Sequence, residues 1–111
     1  MKITEQFKKA INDVFYDKQI SFYLPREVEE DLGSIKSEPG QFIELVYGNY
    51  VETSDERILN TFGATEKGDA VITCESSLAR KGDYAIYGDR TSRVVSIKRY
   101  DSHMSLLVEY V

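Results

Sequence analysis

The stretch "YDSHMSLLVEY", residues 100–110, places Asp101, Ser102 and His103 side by side, and these are the residue types of a hydrolase triad. In a working triad each side chain hydrogen-bonds the next across converging groups, whereas sequence neighbours at a chain reversal diverge. The stretch is therefore interpreted as a turn. Asp101 is expected to accept hydrogen bonds from backbone N–H groups one or two residues on, and His103 leads into the last strand.

Other residue types that carry chemistry are scarce. The chain has one cysteine, Cys74, and one histidine, so neither an internal disulfide nor a four-ligand zinc site is expected. Cys74 is interpreted as a small buried apolar residue, because a nucleophilic thiolate needs a basic partner. The glycines lack the spacing of phosphate-binding loops. We therefore expect no catalytic residue, cofactor or metal, and no enzymatic activity.

Length and charge limit the classes of protein further. The 111 residues, 41% of them apolar, suffice for one core, so residues 1–111 are expected to form a single domain. No run approaches 18 apolar residues and no secretory signal is recognisable, which predicts a protein of the cytosol without membrane association. Residues 1–55 contain 11 acids and 6 bases, and residues 56–111 contain 8 of each. An acidic chain gains little from phosphate neutralisation, so specific binding to nucleic acid is not expected.

Periodicity predicts two helices among six strands. Apolar residues at helical spacing predict an amphipathic helix over 4–16, and a capping pair at Thr53 and Glu56 predicts a short helix over 54–62. Alternating apolar residues predict strands near 20–24, 43–51 and 70–75. A meander of strands 84–87, 92–100 and 104–111 follows. The fold class is thus mainly β (α+β): a small six-stranded β-barrel or curled sandwich with these two helices.

The glycine and aspartate residues between the meander strands mark its reversals. Gly88 and Asp89 separate the first two strands, and Asp101 and His103 bound the second reversal. Such residues tolerate or stabilise the backbone of tight turns. They are therefore assigned as structural turn residues.

An acidic segment and a basic strand are the two candidate contact regions. Residues 25–40 have no clear period and are predicted to be a long acidic loop, interpreted as an arm used in assembly. A solvated loop is the simpler alternative. The acids proposed to face a lumen or a neighbouring subunit are Glu27, Glu29, Glu30 and Asp31. The bases proposed for an inter-subunit surface, with intramolecular pairing as the alternative, are Arg90, Arg93, Lys98 and Arg99.

Tyrosine is abundant, with eight in the chain. Seven fall in or beside predicted strands: Tyr23, Tyr47, Tyr50, Tyr84, Tyr87, Tyr100 and Tyr110. Half-buried tyrosines of a small β-domain are the simpler interpretation. A protein contact surface is the functional one, since tyrosine is enriched where proteins pack together.

The order of these elements resembles that of the head-closure, or stopper, proteins of tailed bacteriophages, including head-tail connector (minor capsid) proteins of prophages. The resemblance lies in the N-terminal helix, the segments "DKQISFY", "GNYVETS" and "GDAVITCES", and the spacing G-D-x-x-x-Y-G-x-x-x-x-x-V-x-x-I-x-x-Y-D-S-H from Gly82 to His103. The resemblance covers nearly the whole chain. The segment 25–40 departs from it in being unusually acidic.

This resemblance implies a structural virion protein. Such proteins are small β-barrels that form a ring beneath the portal and its adaptor, retain packaged DNA and present a surface to the tail. The implied location is the head-tail interface of the virion, reached from the host cytoplasm, with DNA passing through the ring without specific binding. Two alternatives stay open: a tail-completion or other connector component of the same particle, and an unrelated small soluble β-barrel binding module.

Overall fold

Six antiparallel strands make the protein mainly β, as the sequence predicts. The computed structural model describes residues 16–52, 62 and 67–111. The strands are β1 (Lys18–Glu29), β2 (Ile35–Glu52), β3 (Ala70–Cys74), β4 (Tyr84–Tyr87), β5 (Arg90–Arg99) and β6 (Met104–Tyr110). They are hydrogen-bonded in the order β1-β2-β3-β6-β5-β4, and β4 pairs again with β1 to close a ring. Apart from Tyr16 and Phe62, the predicted helices 4–16 and 54–62 lie outside the described residues.

The interior of the ring is the main hydrophobic core. Alternate residues of each strand point inward, so neighbouring strands contribute side chains at the same level. Phe22 of β1 lies opposite Ala85 of β4, and Ile72 of β3 lies opposite Leu106 of β6. The fully buried side chains of this core include Ile20, Phe22, Ile72, Leu106 and Val108. Burial of this apolar surface is the main force that closes the ring.

A smaller apolar cluster lies on the outer face of the ring. Val71 and Leu107 point outward from β3 and β6, yet both are buried because Phe62 and Val95 pack against them. Phe62 belongs to the segment between β2 and β3. Phe62 therefore covers part of the outer face of β3 and β6.

The largest correction concerns residues 25–40, for which the prediction of a loop is wrong. β1 continues to Glu29 and β2 begins at Ile35, so this segment is a two-stranded hairpin whose pairs run from Pro25↔Pro39 to Glu29↔Ile35. Two opposed prolines fit where neither backbone nitrogen needs to donate to the partner strand. Backbone pairing of β1 with β4 ends at Tyr23, and beyond that point the Tyr84 hydroxyl of β4 donates to Ser37 Oγ of the hairpin at 2.8 Å. We call residues 24–41 the arm.

An irregular segment between β3 and β4 lies at the end of the ring from which the arm leaves. The Glu44 carboxylate accepts hydrogen bonds from the Ser77 hydroxyl and the Leu78 backbone N–H, each at 2.6 Å. The Asp83 carboxylate accepts from the Arg80 N–H at 2.8 Å. Because these polar groups are satisfied, the chain can cross this end of the ring without a regular strand.

Candidate functional site

The predicted acidic residues all lie on the arm. Glu27 and Glu29 are exposed on β1, and Glu30 and Asp31 form the start of the turn at its tip. Behind them, the Arg26 guanidinium forms a salt bridge with Glu38 on the opposite strand, and its Nε donates to Oε1 at 3.0 Å. The four predicted acids are in no salt bridge with another described residue. The arm therefore presents net negative charge to solvent.

Two apolar side chains are exposed at the tip of the arm. Leu32 is 97% exposed and Ile35 is 69% exposed. Between them Gly33 takes φ +81°, a left-handed conformation, and its N–H donates to the Glu30 carbonyl at 2.9 Å. The hairpin turn thus holds an apolar tip among carboxylates, and this arrangement points to a contact with another molecule, since large apolar residues gain by being covered.

A second exposed apolar surface lies at the base of the arm, on the outer face of β1 and β2. We call Phe42, Leu45 and Tyr47 the outer patch; each is about half exposed. The Phe42 ring meets Tyr23 edge-on at 5.5 Å between centroids, and the Tyr47 hydroxyl accepts a hydrogen bond from Gln19 at 3.3 Å. These contacts orient the two aromatic side chains, which stay half exposed.

The four predicted basic residues do not form one surface. Their spread follows from β5, along which Arg90 and Arg99 are separated by about 30 Å of extended chain. The Arg90 guanidinium lies 4.1 Å from the centre of the Tyr110 ring, at one end of the closed ring of strands. Lys98 and Arg99 lie at the other end, where Arg99 contacts the Met104 sulfur at 3.6 Å.

Arg93 lies between these ends and belongs to a different surface. Its guanidinium carbon lies 5.3 Å from the centre of the Tyr84 ring, and its Nε donates to the Gly82 carbonyl at 3.1 Å. Register places Phe42, Tyr23, Tyr84 and Arg93 in one row across four strands. None of the four basic residues forms a salt bridge with another described residue, so the intramolecular pairing left open by the sequence is not observed within that part of the chain.

The Asp101-Ser102-His103 sequence forms a turn and not a triad. The Tyr100 N–H donates to the His103 carbonyl at 2.8 Å, and the two rings stack with centroids 4.5 Å apart. Ser102 Oγ lies 3.0 Å from His103 Nδ1. The Asp101 carboxylate is exposed and bonds to no described residue, so the predicted hydrogen bond to the backbone is wrong. The backbone bond and the ring stack hold this reversal instead.

A tyrosine-lined cleft opens at the end of the ring opposite the arm. Its volume is about 450 Å³, and we call it the mouth. It is lined by the last residues of β2 and β6 and by the β4–β5 turn, in which Gly88 takes φ +59°. The lining residues are Tyr50, Glu52, Tyr87, Gly88, Asp89, Arg90 and Tyr110.

Aromatic and polar contacts order the mouth. The rings of Tyr50 and Tyr87 lie 4.7 Å apart. The Tyr110 hydroxyl donates to the Glu52 carboxylate at 2.9 Å. The Tyr50 hydroxyl is buried and has no hydrogen-bond partner among the described residues. The mouth thus combines aromatic walls, a cation and carboxylates, which are groups that hold polar ligands in other small β-domains.

Burial and the neighbouring carboxylate raise the pKa of Tyr110. Desolvation is the larger cause, and the hydrogen bond to Glu52 adds to it. In the unfolded chain a tyrosine ionises near pH 10. The stabilisation linked to this raised pKa is therefore complete below about pH 10 and is lost as pH rises towards the folded-state value.

We predict that the free energy of unfolding falls more between about pH 8 and about pH 11 in the parent protein than in Tyr110→Phe, because the unfolded tyrosine ionises near pH 10. Urea unfolding at the two pH values measures the difference. Glu52→Gln should show a smaller fall than the parent, because one cause of the raised pKa is removed. Equal falls in the parent and in Tyr110→Phe would contradict the prediction.

Cys74 agrees with its interpretation as a buried apolar residue. It is fully buried in the core, and burial, aided by the charge of Glu44, raises the pKa of its thiol to about 11. We predict that an aromatic disulfide reagent at neutral pH modifies the native thiol far more slowly than the unfolded one, because the reactive thiolate is rare and enclosed. The release of reagent chromophore with and without denaturant measures this. Similar rates in both states would show that the thiol is accessible.

Several contact residues were not identified by sequence reasoning. The sequence pattern places Leu32 and Ile35 in an acidic segment and does not distinguish Glu52. The sequence does contain a signal for the exposed tip, because Leu32 directly precedes the turn residue Gly33 within a charged segment. No comparable signal marks Glu52, since the mouth forms only when the ring closes.

The described residues give no sign of a metal site or of a spanning helix. Within the ranges 16–52 and 67–111, no three histidine, cysteine or acidic residues are placed to hold a metal ion. In the same part of the chain, no helix has the length and apolar character needed to cross a membrane.

Comparisons with known proteins identify a similar fold. No protein-family model matches the chain, and no curated protein matches its sequence. The solution structure of protein SF1141 from Shigella flexneri 2a is similar, with a TM-score of 0.61 over 86% of this chain and 93% of that one. The two sequences are 8% identical. The similarity therefore concerns the fold alone.

Proposed function

We propose that this chain is a structural subunit of the head-tail connector of a tailed bacteriophage or prophage. In this proposal the closed ring of strands is a small β-barrel with an N-terminal helix, and several copies assemble to retain packaged DNA and to provide the surface for tail attachment. The arm is the observation that carries the proposal. A hairpin that leaves the sheet with an apolar tip has little use in an isolated subunit, but it is suited to a contact between subunits.

The charge of the arm is consistent with a channel for DNA. Glu27, Glu29, Glu30 and Asp31 are exposed and unpaired with any described cation. Carboxylates repel the phosphate backbone, so an arm that faces the channel would let DNA pass without binding it. The same acids would also suit a contact with a neighbouring subunit, where they could form salt bridges with its basic residues.

Two alternative functions have different partners. A tail-completion component of the same particle would use the arm on the tail tube instead of the portal adaptor. A small binding module unrelated to phage is favoured by one specific observation, the mouth, whose buried Tyr50 hydroxyl has no partner among the described residues. Small-molecule sites are common at such openings.

Co-sedimentation separates these functions. The purified chain is mixed in turn with the portal-adaptor complex and with the tail tube encoded beside it. The proposal predicts that it sediments with the portal-adaptor complex as several copies per particle. Sedimentation with the tail tube alone would identify a tail-completion component, and sedimentation with neither would overturn the assignment to the particle.

A further inference from the structure

Two exposed apolar surfaces among the described residues cannot cover one another within one molecule. The first is the tip of the arm, Leu32 and Ile35, and the second is the outer patch at its base. Ile35 and Phe42 are seven residues apart on a continuous strand, which corresponds to roughly 23 Å. Pairing of β1 with β2 from Pro25↔Pro39 to Glu29↔Ile35 holds the hairpin extended. Neither surface can therefore be covered by the other within one molecule.

We propose that the arm tip of one copy packs on the outer patch of a second copy. This inference rests on the self-association proposed above and names the two surfaces that would form the contact. Leu32 and Ile35 would supply the projecting apolar side chains, and the exposed rings and aliphatic group of the outer patch would supply the receiving surface. Aromatic residues of this kind are enriched at the centres of protein interfaces.

Charge complementarity favours a second copy as the occupant. Glu30 and Asp31 immediately precede Leu32 at the tip, and neither forms a salt bridge with a described residue. On the receiving side, Arg93 continues the row formed by Phe42, Tyr23 and Tyr84. When an arm tip packs on the outer patch, Arg93 is the cation in this row with which the carboxylates of the tip can pair. Such charge pairing sets the orientation of an interface.

The two surfaces differ, so the contact is heterologous. Each copy would offer its own tip to one neighbour and its own patch to another. A repeated contact of this kind closes into a ring when the rotation between copies permits it. The inferred contact is therefore of the type that a connector ring requires.

Site-directed disulfide trapping tests the contact. Leu32→Cys and Leu45→Cys are prepared as separate full-length proteins that retain the buried Cys74, mixed, and oxidised with diamide at a concentration at which the parent chain self-associates. We expect the mixed 32–45 disulfide, identified by mass spectrometry, to exceed severalfold the product formed with Leu78→Cys in place of Leu45→Cys. Leu78 is a matched control because it is 70% exposed but lies in the segment between β3 and β4.

A substitution provides the second arm of the test. Leu32→Asp should weaken self-association at least about tenfold, because it places a charge in the apolar contact. Leu78→Asp should leave association unchanged.

If the parent chain associates but the mixed disulfide stays at the control level and Leu32→Asp has no effect, this contact is wrong and the proposed function stands. If the parent chain associates neither alone nor on the portal-adaptor complex, the proposed function fails as well. Loss of adaptor binding in Leu32→Asp, with self-association intact, would assign the tip to the adaptor and overturn the inference.

Discussion

Phe22→Ala should lower the free energy of unfolding by about 3–5 kcal/mol, as expected for removal of a fully buried aromatic side chain. Phe22 is 0% exposed and points into the ring between Glu44 of β2 and Ala85 of β4. The alanine would leave a cavity lined by a sheet that is hydrogen-bonded around its whole circumference, so the walls cannot easily collapse. Urea unfolding followed by circular dichroism measures the loss.

Phe42→Ala is the matched control for this change. The same atoms are removed, but Phe42 is 52% exposed and its main ring contact is the edge-on one with Tyr23. We expect a loss of about 1 kcal/mol, the value of an aromatic pair at the surface. Similar losses for the two variants would contradict the assignment of Phe22 to the interior and Phe42 to the outer face.

Gly48→Ala should destabilise the protein by about 1–3 kcal/mol through overpacking. A Cβ at position 48 would lie 2.7 Å from the Thr73 carbonyl oxygen and 3.3 Å from the Cys74 Cβ. The first neighbour is backbone of the paired strand β3, so it cannot move aside without breaking the ladder. β2 and β3 therefore approach this closely because position 48 has no side chain.

Asn49→Ala is the control for Gly48→Ala. Asn49 is the next residue of β2 and lies opposite Thr73, with its side chain on the other face of the sheet. A substitution there is expected to change the free energy of unfolding by no more than about 0.5 kcal/mol. Equal effects at positions 48 and 49 would mean that β2 and β3 do not approach as closely as the structure shows.

The strands that line the interior of the ring are the ones that the sequence predicts well. In β3, Ala70, Ile72 and Cys74 alternate with Val71 and Thr73, and the first set points into the ring. β4 spans Tyr84–Tyr87 as predicted, and β6 begins at Met104 as predicted. Alternation is a reliable indicator here because each strand has an apolar interior on one side.

The arm could not be predicted in this way because neither of its faces is buried by the domain. Residues 25–40 therefore lack an apolar period, and Pro25 and Pro39 further suggest a loop. The sequence does contain residues that face each other across the hairpin, such as Arg26 and Glu38. These partners can be recognised only once the turn is placed at Gly33. Cross-strand register is a property of the folded hairpin and is not marked locally.

The outer patch and the mouth depend on geometry that local patterns do not contain. Leu45 and Tyr47 share a parity with Ile43, which packs against the core, but the register shift between Phe22 and Tyr23 falls at Ile43, and Leu45 and Tyr47 lie on the outer face. Glu52 and Arg90 are 38 positions apart and meet because β4 pairs with β1 to close the ring. The candidate site therefore required the complete topology.

The mass of the full-length protein in solution, measured by analytical ultracentrifugation alone and with the portal-adaptor complex, tests most directly the claim that this chain works by association. The account predicts a discrete species of several copies, either in the free protein or on the complex, and its loss in Leu32→Asp. A chain that remains a monomer at all concentrations, and that does not sediment with the portal-adaptor complex, would contradict it.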